Sequence, residues 1–337
     1  MVTMKEVADK AGTSVYTVSS VINNSNPVSL KLRRRVKKAI EELDYVPNAM
    51  AKGLKKRRTY SIAVIISDVS DIFYSKVIKS IEKIINLEKL SVTVCNTDND
   101  PGKEKWYLEY LIQKKVDGLI VFTIGQNDKS LKKVLDKKIP LVLIDREVET
   151  LKVNSVVMDD FRGALEATNY LINMGHKRIG IVSYPITFST GCKRIEGYKI
   201  ALSRHGIDQD VELIKICGTE ISDSYRATEE LLSIKDVPTA IITTNPKMFV
   251  GALKSIRHNN LKIPEDISLL AFDIFEWVDL VRPSITIIKQ PVEKMGEYAA
   301  KLLLEEINSE EEMIPRKIVL STKLIVGNSV KNISSLH

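Results

Sequence analysis

The side chains best equipped for recognition chemistry stand at the ends of short apolar runs in the C-terminal five-sixths of the chain. Asp71-Ile72-Phe73-Tyr74 follows the run Ile62–Ile66, Thr123 closes Gly118–Phe122, and Asp145-Arg146 closes Leu141–Ile144. Asp160 comes after Ser155–Met158, and Phe188-Ser189-Thr190 with Arg194 opens a helical stretch after Arg178–Val182. Asn245 and Asp273 follow Thr239–Thr243 and Ile267–Phe272. The set holds carboxylates, guanidiniums, an amide and aromatic faces. Sugar hydroxyls both donate and accept, so paired Asp and Arg groups suit them. Aromatic rings cover the apolar face of a pyranose or stack on a base. Catalysis lacks its usual signs. There is no glycine-rich nucleotide-phosphate motif, no Gly-x-Ser-x-Gly elbow and no His-Glu-x-x-His. His176, His205, His258 and His337 are scattered, with no metal-ligand partner at useful spacing. The reading is therefore a binding protein with no catalytic residues, no metal and no cofactor.

A second chemistry sits at the other end. Residues 1–60 hold 13 Lys and Arg against 5 Asp and Glu, a net of +8, whereas the whole chain carries +7. The remaining residues sum to −1, so the positive excess belongs to the first sixth of the chain. Such a segment favours phosphate, because neutralising it releases condensed counterions. Thr3 and Glu6 make a capping box for a helix whose Met4, Val7, Ala8 and Ala11 recur at helical spacing. Gly12 ends it. Ser14 caps a helix over Val15–Ile22, with Val18, Val21 and Ile22 inward and Val15, Tyr16, Ser19 and Ser20 outward. After the loop Asn23–Pro27, Ser29 starts a third helix. Its inward face is Leu32, Val36, Ala39, Ile40 and Leu43, and its outer face is Lys31, Arg33, Arg34, Arg35, Lys37 and Lys38. Two short helices about a tight turn, buttressed by a third, make a helix-turn-helix, whose second helix fits the DNA major groove. Asn48 can cap a further helix ending near Gly53, too short to be stable alone and suited to folding on a partner.

These side chains need elements to hold them. From Ser61 onward nine apolar runs, including Ser91–Cys95 and Leu213–Ile216, alternate with helical stretches. Runs with little polar alternation suit strands buried on both faces of parallel sheets. Strand–helix alternation gives an open α/β fold, and nine units exceed one sheet. Two Rossmann-like lobes follow, with a boundary near Asp160 and ligands beyond the carboxyl ends of the strands. At 337 residues, 44% hydrophobic and 28% charged, the composition is that of a soluble globular protein. No run of eighteen apolar residues spans a membrane, and the acids in the first residues exclude a secretory signal, so a cytoplasmic location is expected. Cys95, Cys192 and Cys217 lie far apart and are read as unpaired thiols.

The segments Val2–Ala8, Ala11-Gly12, Ser14, Thr17-Val18-Ser19, Val21-Ile22-Asn23 and Tyr45–Ala51 resemble the lactose-repressor (LacI/GalR) family, and the match runs along essentially the whole chain. The resemblance implies a repressor, in dimeric form, on a pseudo-palindromic operator, released by a small effector. It implies a helix-turn-helix domain over residues 1–46, a hinge helix and linker over 47–59 and a core over 60–337. The core would be of periplasmic-binding-protein type, with one lobe at about 60–160 and 291–320 and the other at about 161–290 and 321–337. By position, Val15, Tyr16 and Ser20 would read bases. Thr3, Ser14, Thr17, Ser19, Asn23 and Ser29 would set the protein on the backbone. Asn48, Ala51 and Leu54 would enter the minor groove, Leu54 as a wedge. Effector roles fall on Phe73, Asp145, Thr190, Arg194, Asn245 and Asp273, with Tyr74, Thr123, Arg146 and Phe188 beside them. Two positions depart from the pattern. Ser20 stands where the family usually has arginine, and serine cannot make arginine's bidentate contact with guanine. Asn245-Pro246 stands where the family usually has Asn-Asp. The strand-end aspartates, asparagine and arginine favour a sugar over a purine. No leucine heptad follows residue 320, where Ile325, Val326 and Val330 read as a final strand, so a dimer is expected over a tetramer. A solute receptor without DNA binding, or an enzyme with a regulatory DNA-binding domain, are the competing classes. The basic N-terminal segment argues against the first, and the missing catalytic motifs against the second.

Overall fold

Hydroxyl side chains start each helix of the N-terminal segment. The computed structural model describes residues 2–46, 58–273 and 281–334, in two units that divide between Thr59 and Tyr60. In the first unit, α1 (Met4–Ala11) begins with the capping box: Thr3 Oγ1 accepts from the Glu6 amide at 3.3 Å, and Glu6 Oε2 accepts from the Thr3 amide at 2.6 Å. Gly12 ends it at φ 57, a left-handed conformation that glycine takes without steric cost. Ser14 caps α2 (Val15–Asn23) and Ser29 caps α3 (Leu30–Glu42). Val7, Ala8, Ala11, Val18, Val21, Val36, Ala39 and Tyr45 form the core, with Ile22, Ile40 and Leu43 packed at its margin.

Ser20 corrects the expected outward face of α2. It is 3% exposed. Its Oγ donates to the Tyr16 carbonyl at 2.9 Å. At about 100° per residue, Ser20 lies one step from Val21, at the edge of the buried stripe. A small side chain that satisfies itself on the preceding turn can be covered there without cost.

The second unit contains two six-stranded sheets. The first comprises β1 (Ser61–Ile66), β2 (Ser91–Asn96), β3 (Gly118–Val121), β4 (Leu141–Ile144), β5 (Asn154–Met158) and β11 (Lys317–Leu320), in the order β11-β5-β4-β3-β1-β2. All its pairings are parallel. The second comprises β6 (Ile179–Ser183), β7 (Ile214–Ile216), β8 (Ala240–Thr243), β9 (Ser268–Phe272), β10 (Thr286–Lys289) and β12 (Lys323–Ile325), in the order β12-β10-β9-β8-β6-β7. Only β12 runs antiparallel, against β10. The nine apolar runs all become strands. β10, β11 and β12 complete the sheets, and the chain passes from one sheet to the other after β5, β10 and β11.

Helices cover both faces of each sheet, as buried parallel strands require. α4 (Ile72–Ile85) and α11 (Val292–Asn308) close one face of the first sheet, burying Val77, Ile81 and Ile85 with Met295, Ala299 and Leu303. α5 (Pro101–Lys114) and α6 (Asp128–Asp136) close the other through Leu108, Leu111, Leu131 and Val134. On the second sheet, α7 (Asp160–Asn173) and α8 (Ser189–Arg204) pack over Ile179, Ile181 and Leu270. α9 (Ile221–Ser233) and α10 (Pro246–His258) pack over Ile241, Leu269 and Ala271. α7 and α8 approach closely because Gly197 lies against the Phe161 carbonyl, where a Cβ would collide. The three cysteines are unpaired thiols. Among the described residues no helix is long and apolar enough to cross a membrane.

Candidate functional site

Parallel strands deliver their carboxyl ends to one side, so the loops after β1, β4, β6, β8, β9 and β10 meet. Asp71, Phe73 and Tyr74 open α4 after β1, and Asp145 and Arg146 follow β4. Thr190 and Arg194 lie in the first turns of α8, Asn245 caps α10, Asp273 follows β9 and Gln290 follows β10. These residues, with Tyr184 and Pro246, line one narrow recess of about 30 Å³. Asp145 at φ 67 and Asp273 at φ 44 sit in left-handed backbone. Such conformations cluster at ligand sites.

Arg194 is anchored from behind. Its Nε donates to Asp160 Oδ1 at 2.8 Å, its Nη2 lies 2.6 Å from the same oxygen, and its Nη1 donates to the Thr244 carbonyl. The guanidinium also rests 4.6 Å from the Phe272 ring centre. Arg146 is held differently. Phe188 covers its guanidinium at 3.9 Å, and its Nη1 reaches Ser67 Oγ and the Thr123 carbonyl, each at 3.4 Å. Phe73, Tyr74 and Phe122 form an edge-to-face cluster, with Tyr74 and Phe122 ring centres 4.9 Å apart.

Three buried polar atoms here have no hydrogen-bond partner: Arg146 Nε, Asn245 Nδ2 and Gln290 Oε1. Their residues are 3%, 4% and 5% exposed. Leaving such an atom unpaired costs about 1–3 kcal/mol, so each calls for a ligand or water. The other end of Asn245 is occupied, because its Oδ1 accepts from the Met248 amide at 2.7 Å. Burial pushes the Asp145 carboxyl up to about 6, against the pull of Arg146. Burial likewise lifts Asp273 to about 6, and it raises Asp71 above the usual carboxylate range. Tyr74 is pushed up to about 12 by burial. The recess thus offers unpaired donors, an unpaired acceptor and ionisable acceptors in a partly dehydrated space.

Side chains from the two sheets' loops meet around it. Lys247 Nζ at the start of α10 lies 2.5 Å from Asp68 Oδ2 after β1. Glu147 after β4 pairs with Lys193 of α8, and its amide donates to Ser189 Oγ at 3.1 Å. Glu147 also holds Lys317 at 2.5 Å.

Of the effector residues expected from the sequence, Phe73, Tyr74, Asp145, Arg146, Thr190, Arg194, Asn245 and Asp273 line the recess. Thr123 does not. Its hydroxyl is buried, donates to Glu104 Oε1 at 3.3 Å and accepts from the Gly125 amide at 3.0 Å. Phe188 stands behind the lining, covering Arg146 and packing edge-on against Tyr184 with ring centres 5.8 Å apart. Tyr184 and Gln290 were not singled out from the sequence, and Pro246 was noted there only as a departure from the family pattern. The apolar run Ile285–Ile288 immediately before Gln290 was the available signal.

On the N-terminal unit, Val15 and Tyr16 are exposed at the start of α2, and Asn26 Nδ2 donates to the Tyr16 hydroxyl at 3.0 Å. Thr3, Ser14 and Ser29 are exposed caps at three helix N-termini, the positions that favour anions. Thr17 and Ser19 are half-buried, and Asn23 is exposed with Nδ2 donating to the Ser19 carbonyl at 2.9 Å. Lys31, Arg34, Arg35, Lys37 and Lys38 of α3 are exposed. Asn48, Ala51 and Leu54 lie outside the described residues.

Two family profiles match the chain. One, of bacterial regulatory proteins of the lacI family, covers residues 3–48. The other, of periplasmic binding proteins and the sugar binding domain of the LacI family, covers residues 59–326. The probable HTH-type transcriptional regulator EndR of Paenibacillus polymyxa is 35% identical, over 92% of this chain and 92% of its own length. The HTH-type transcriptional repressor PurR of Pasteurella multocida is 33% identical, over 98% of this chain and 99% of its own. Among solved structures, a transcriptional regulator CelR–cellobiose complex aligns with TM-score 0.74 and 29% identity, covering 98% of this chain and 100% of that one. A lac repressor dimer bound to operator and the anti-inducer ONPF aligns with TM-score 0.86 and 25% identity, covering 98% and 99%. The capped helix-turn-helix, the paired parallel sheets and these full-length matches agree, and the chain belongs to the LacI family of DNA-binding transcriptional regulators.

Proposed function

We propose that this regulator is a repressor of carbohydrate-utilisation genes, released from a pseudo-palindromic operator when a small sugar parts the walls of the recess and binds there. The observation that carries the sugar reading is the set of unpaired donors and acceptor, Arg146 Nε, Asn245 Nδ2 and Gln290 Oε1, beside the Asp145 and Asp273 carboxylates. A polyol supplies both donors and acceptors to such a set. The CelR structure, with cellobiose bound, supports the same class of ligand.

In this reading residues 1–46 bind DNA, 47–59 form the hinge and 60–337 form the effector core. Val15 and Tyr16 read base edges from the start of α2. Ser20 lines the inner side of that helix, so a base contact from it is not part of the proposal. Thr3, Ser14, Thr17, Ser19, Asn23 and Ser29 set position on the phosphates, and Asn48, Ala51 and Leu54 act in the minor groove. The working unit is a cytoplasmic homodimer, matching the two-fold symmetry of its operator. The effector acts by binding the DNA-released state more tightly than the DNA-bound state, since only differential affinity moves that equilibrium. A thermal-shift screen of sugars and nucleosides on the purified chain, followed by operator release measured by fluorescence anisotropy, tests this. A nucleoside or purine hit with no sugar hit would overturn the sugar reading. Absence of submicromolar affinity for any palindromic DNA at physiological salt would overturn the operator reading.

A further inference from the structure

The electrostatics of the recess narrow its ligand further. Asp71, Asp145 and Asp273 line it, with Asp160 directly behind Arg194. Against these four carboxylates stand two guanidiniums, Arg146 and Arg194. The formal sum is −2 with every group ionised. Lys247 approaches Asp71, but its Nζ is held by Asp68 at 2.5 Å, so that pair adds no net charge.

The geometry of the guanidiniums matters as much as the sum. Tight recognition of a phosphate or carboxylate uses two parallel N–H groups of one arginine. On Arg194 the Nε and Nη2 edge is already spent on Asp160 Oδ1, and Nη1 donates to the Thr244 carbonyl. On Arg146, Phe188 covers the plane, Nη1 faces Ser67 and Thr123, and Nε, without a hydrogen bond, lies 3.9 Å from Asp145 Oδ2. The Arg194 fork is taken, and an anion at the Nε edge of Arg146 would meet the Asp145 carboxylate already beside it. The N-terminus of α8, which has no side-chain cap, offers a partial positive charge of about +0.5. That is smaller than the carboxylate excess.

We infer that the recess takes an uncharged polyol and discriminates against its phosphorylated and carboxylated forms. This rests on the sugar reading above. It makes the protein a sensor of a sugar that has not yet undergone phosphoryl transfer. A kinase-class reaction on the sugar would then consume the signal.

The test is isothermal calorimetry on the full chain at pH 8, well above the value of about 6 to which burial lifts Asp145 and Asp273. Each neutral sugar that binds is compared with its 6-phosphate, its uronate and the corresponding uronamide, which matches the uronate in size without its charge. The expected result is at least about tenfold weaker binding of the phosphate and uronate, with the uronamide close to the parent sugar. Asp71→Asn and Asp273→Asn should each shrink the uronate-to-uronamide ratio by about threefold or more. A merely structural loss would weaken both ligands and leave the ratio unchanged. Tighter binding of a phosphate or uronate than of its parent overturns the inference while leaving the sugar reading intact. An unchanged ratio in both variants also overturns it. Failure of every sugar, charged or not, refutes the sugar reading itself.

Discussion

Asp273→Asn should stabilise the empty protein at neutral pH and reduce the stabilisation that effector provides. Burial lifts this carboxyl from 3.8 to about 6. The sign follows from linkage. A carboxyl with a raised folded-state pKa binds its proton more tightly when folded. Folding is therefore penalised once the pH rises past the unfolded value, the penalty is complete above about pH 6, and it vanishes below the unfolded value. The difference is worth about 3 kcal/mol above pH 7, and about 2 kcal/mol after a discount for the partial exposure of Asp273. At about 2 °C per kcal/mol for a unit of this size, the amide should raise the melting temperature by about 4 °C at pH 7.5. At pH 5 the gain should fall to about half, because the wild-type carboxyl is then largely protonated when folded. Differential scanning fluorimetry across pH 5–8, with and without saturating effector, measures both effects. A variant melting at or below the wild type at pH 7.5, or a gain that grows as pH falls, would refute the reasoning.

Three further outcomes follow from particular contacts. Removing Lys247 or Asp68 should remove a coupling of about 1 kcal/mol, measurable by a double-mutant cycle in urea and little weakened by salt, since both side chains are less than one-fifth exposed. Ser20→Ala should cost the N-terminal unit about 1 kcal/mol through the lost bond to the Tyr16 carbonyl. Its operator affinity should stay within about twofold of wild type by fluorescence anisotropy, whereas a lost base contact would cost about tenfold or more. Gly197→Ala should destabilise the core by about 2 kcal/mol in chemical denaturation, because the added methyl meets the Phe161 carbonyl between α7 and α8.

The central strands were legible in the sequence because their burial is complete, and the apolar runs of the more exposed edge strands β2 and β7 were legible too. Ile62–Ile66 and Leu141–Ile144 are buried throughout, so their composition alone marks them as central strands. β10 and β11 carry exposed Lys289, Lys317 and Val319, and the mixture of polar and apolar residues conceals their period. That is why Gln290 escaped notice, although it contributes one of the three unpaired atoms of the recess. Ser20 was misplaced for a related reason. Helical spacing assigns a face, but at its margin a hydroxyl chooses between solvent and the preceding carbonyl, and only packing decides. Thr123 has the right position at a strand end. It is turned away by Glu104, a buried carboxylate on α5 that also accepts from the Ile124 amide at 2.7 Å. No local motif reveals such a partner, because it lies nineteen residues away in sequence.

The unpaired atoms and the lifted carboxylates describe one energetic condition. Arg146 Nε, Asn245 Nδ2 and Gln290 Oε1 have no hydrogen-bond partner within the protein, while Asp145 and Asp273 are held in a space that disfavours their charge. A polyol bound there would pair with the first group and donate to the second, offsetting the desolvation of its own hydroxyls. Two sets of contacts join the loops of one sheet to the helices of the other without any ligand: Asp68 with Lys247, and Glu147 with Lys193 and Ser189. They favour an arrangement in which residues from both sheets face the same small space. Weakening them lowers the fraction of molecules ready to bind, and apparent affinity falls by that fraction even though no ligand contact is lost. On the proposed reading, effector affinity would be set in two places, by the polar atoms facing the ligand and by ion pairs that do not touch it.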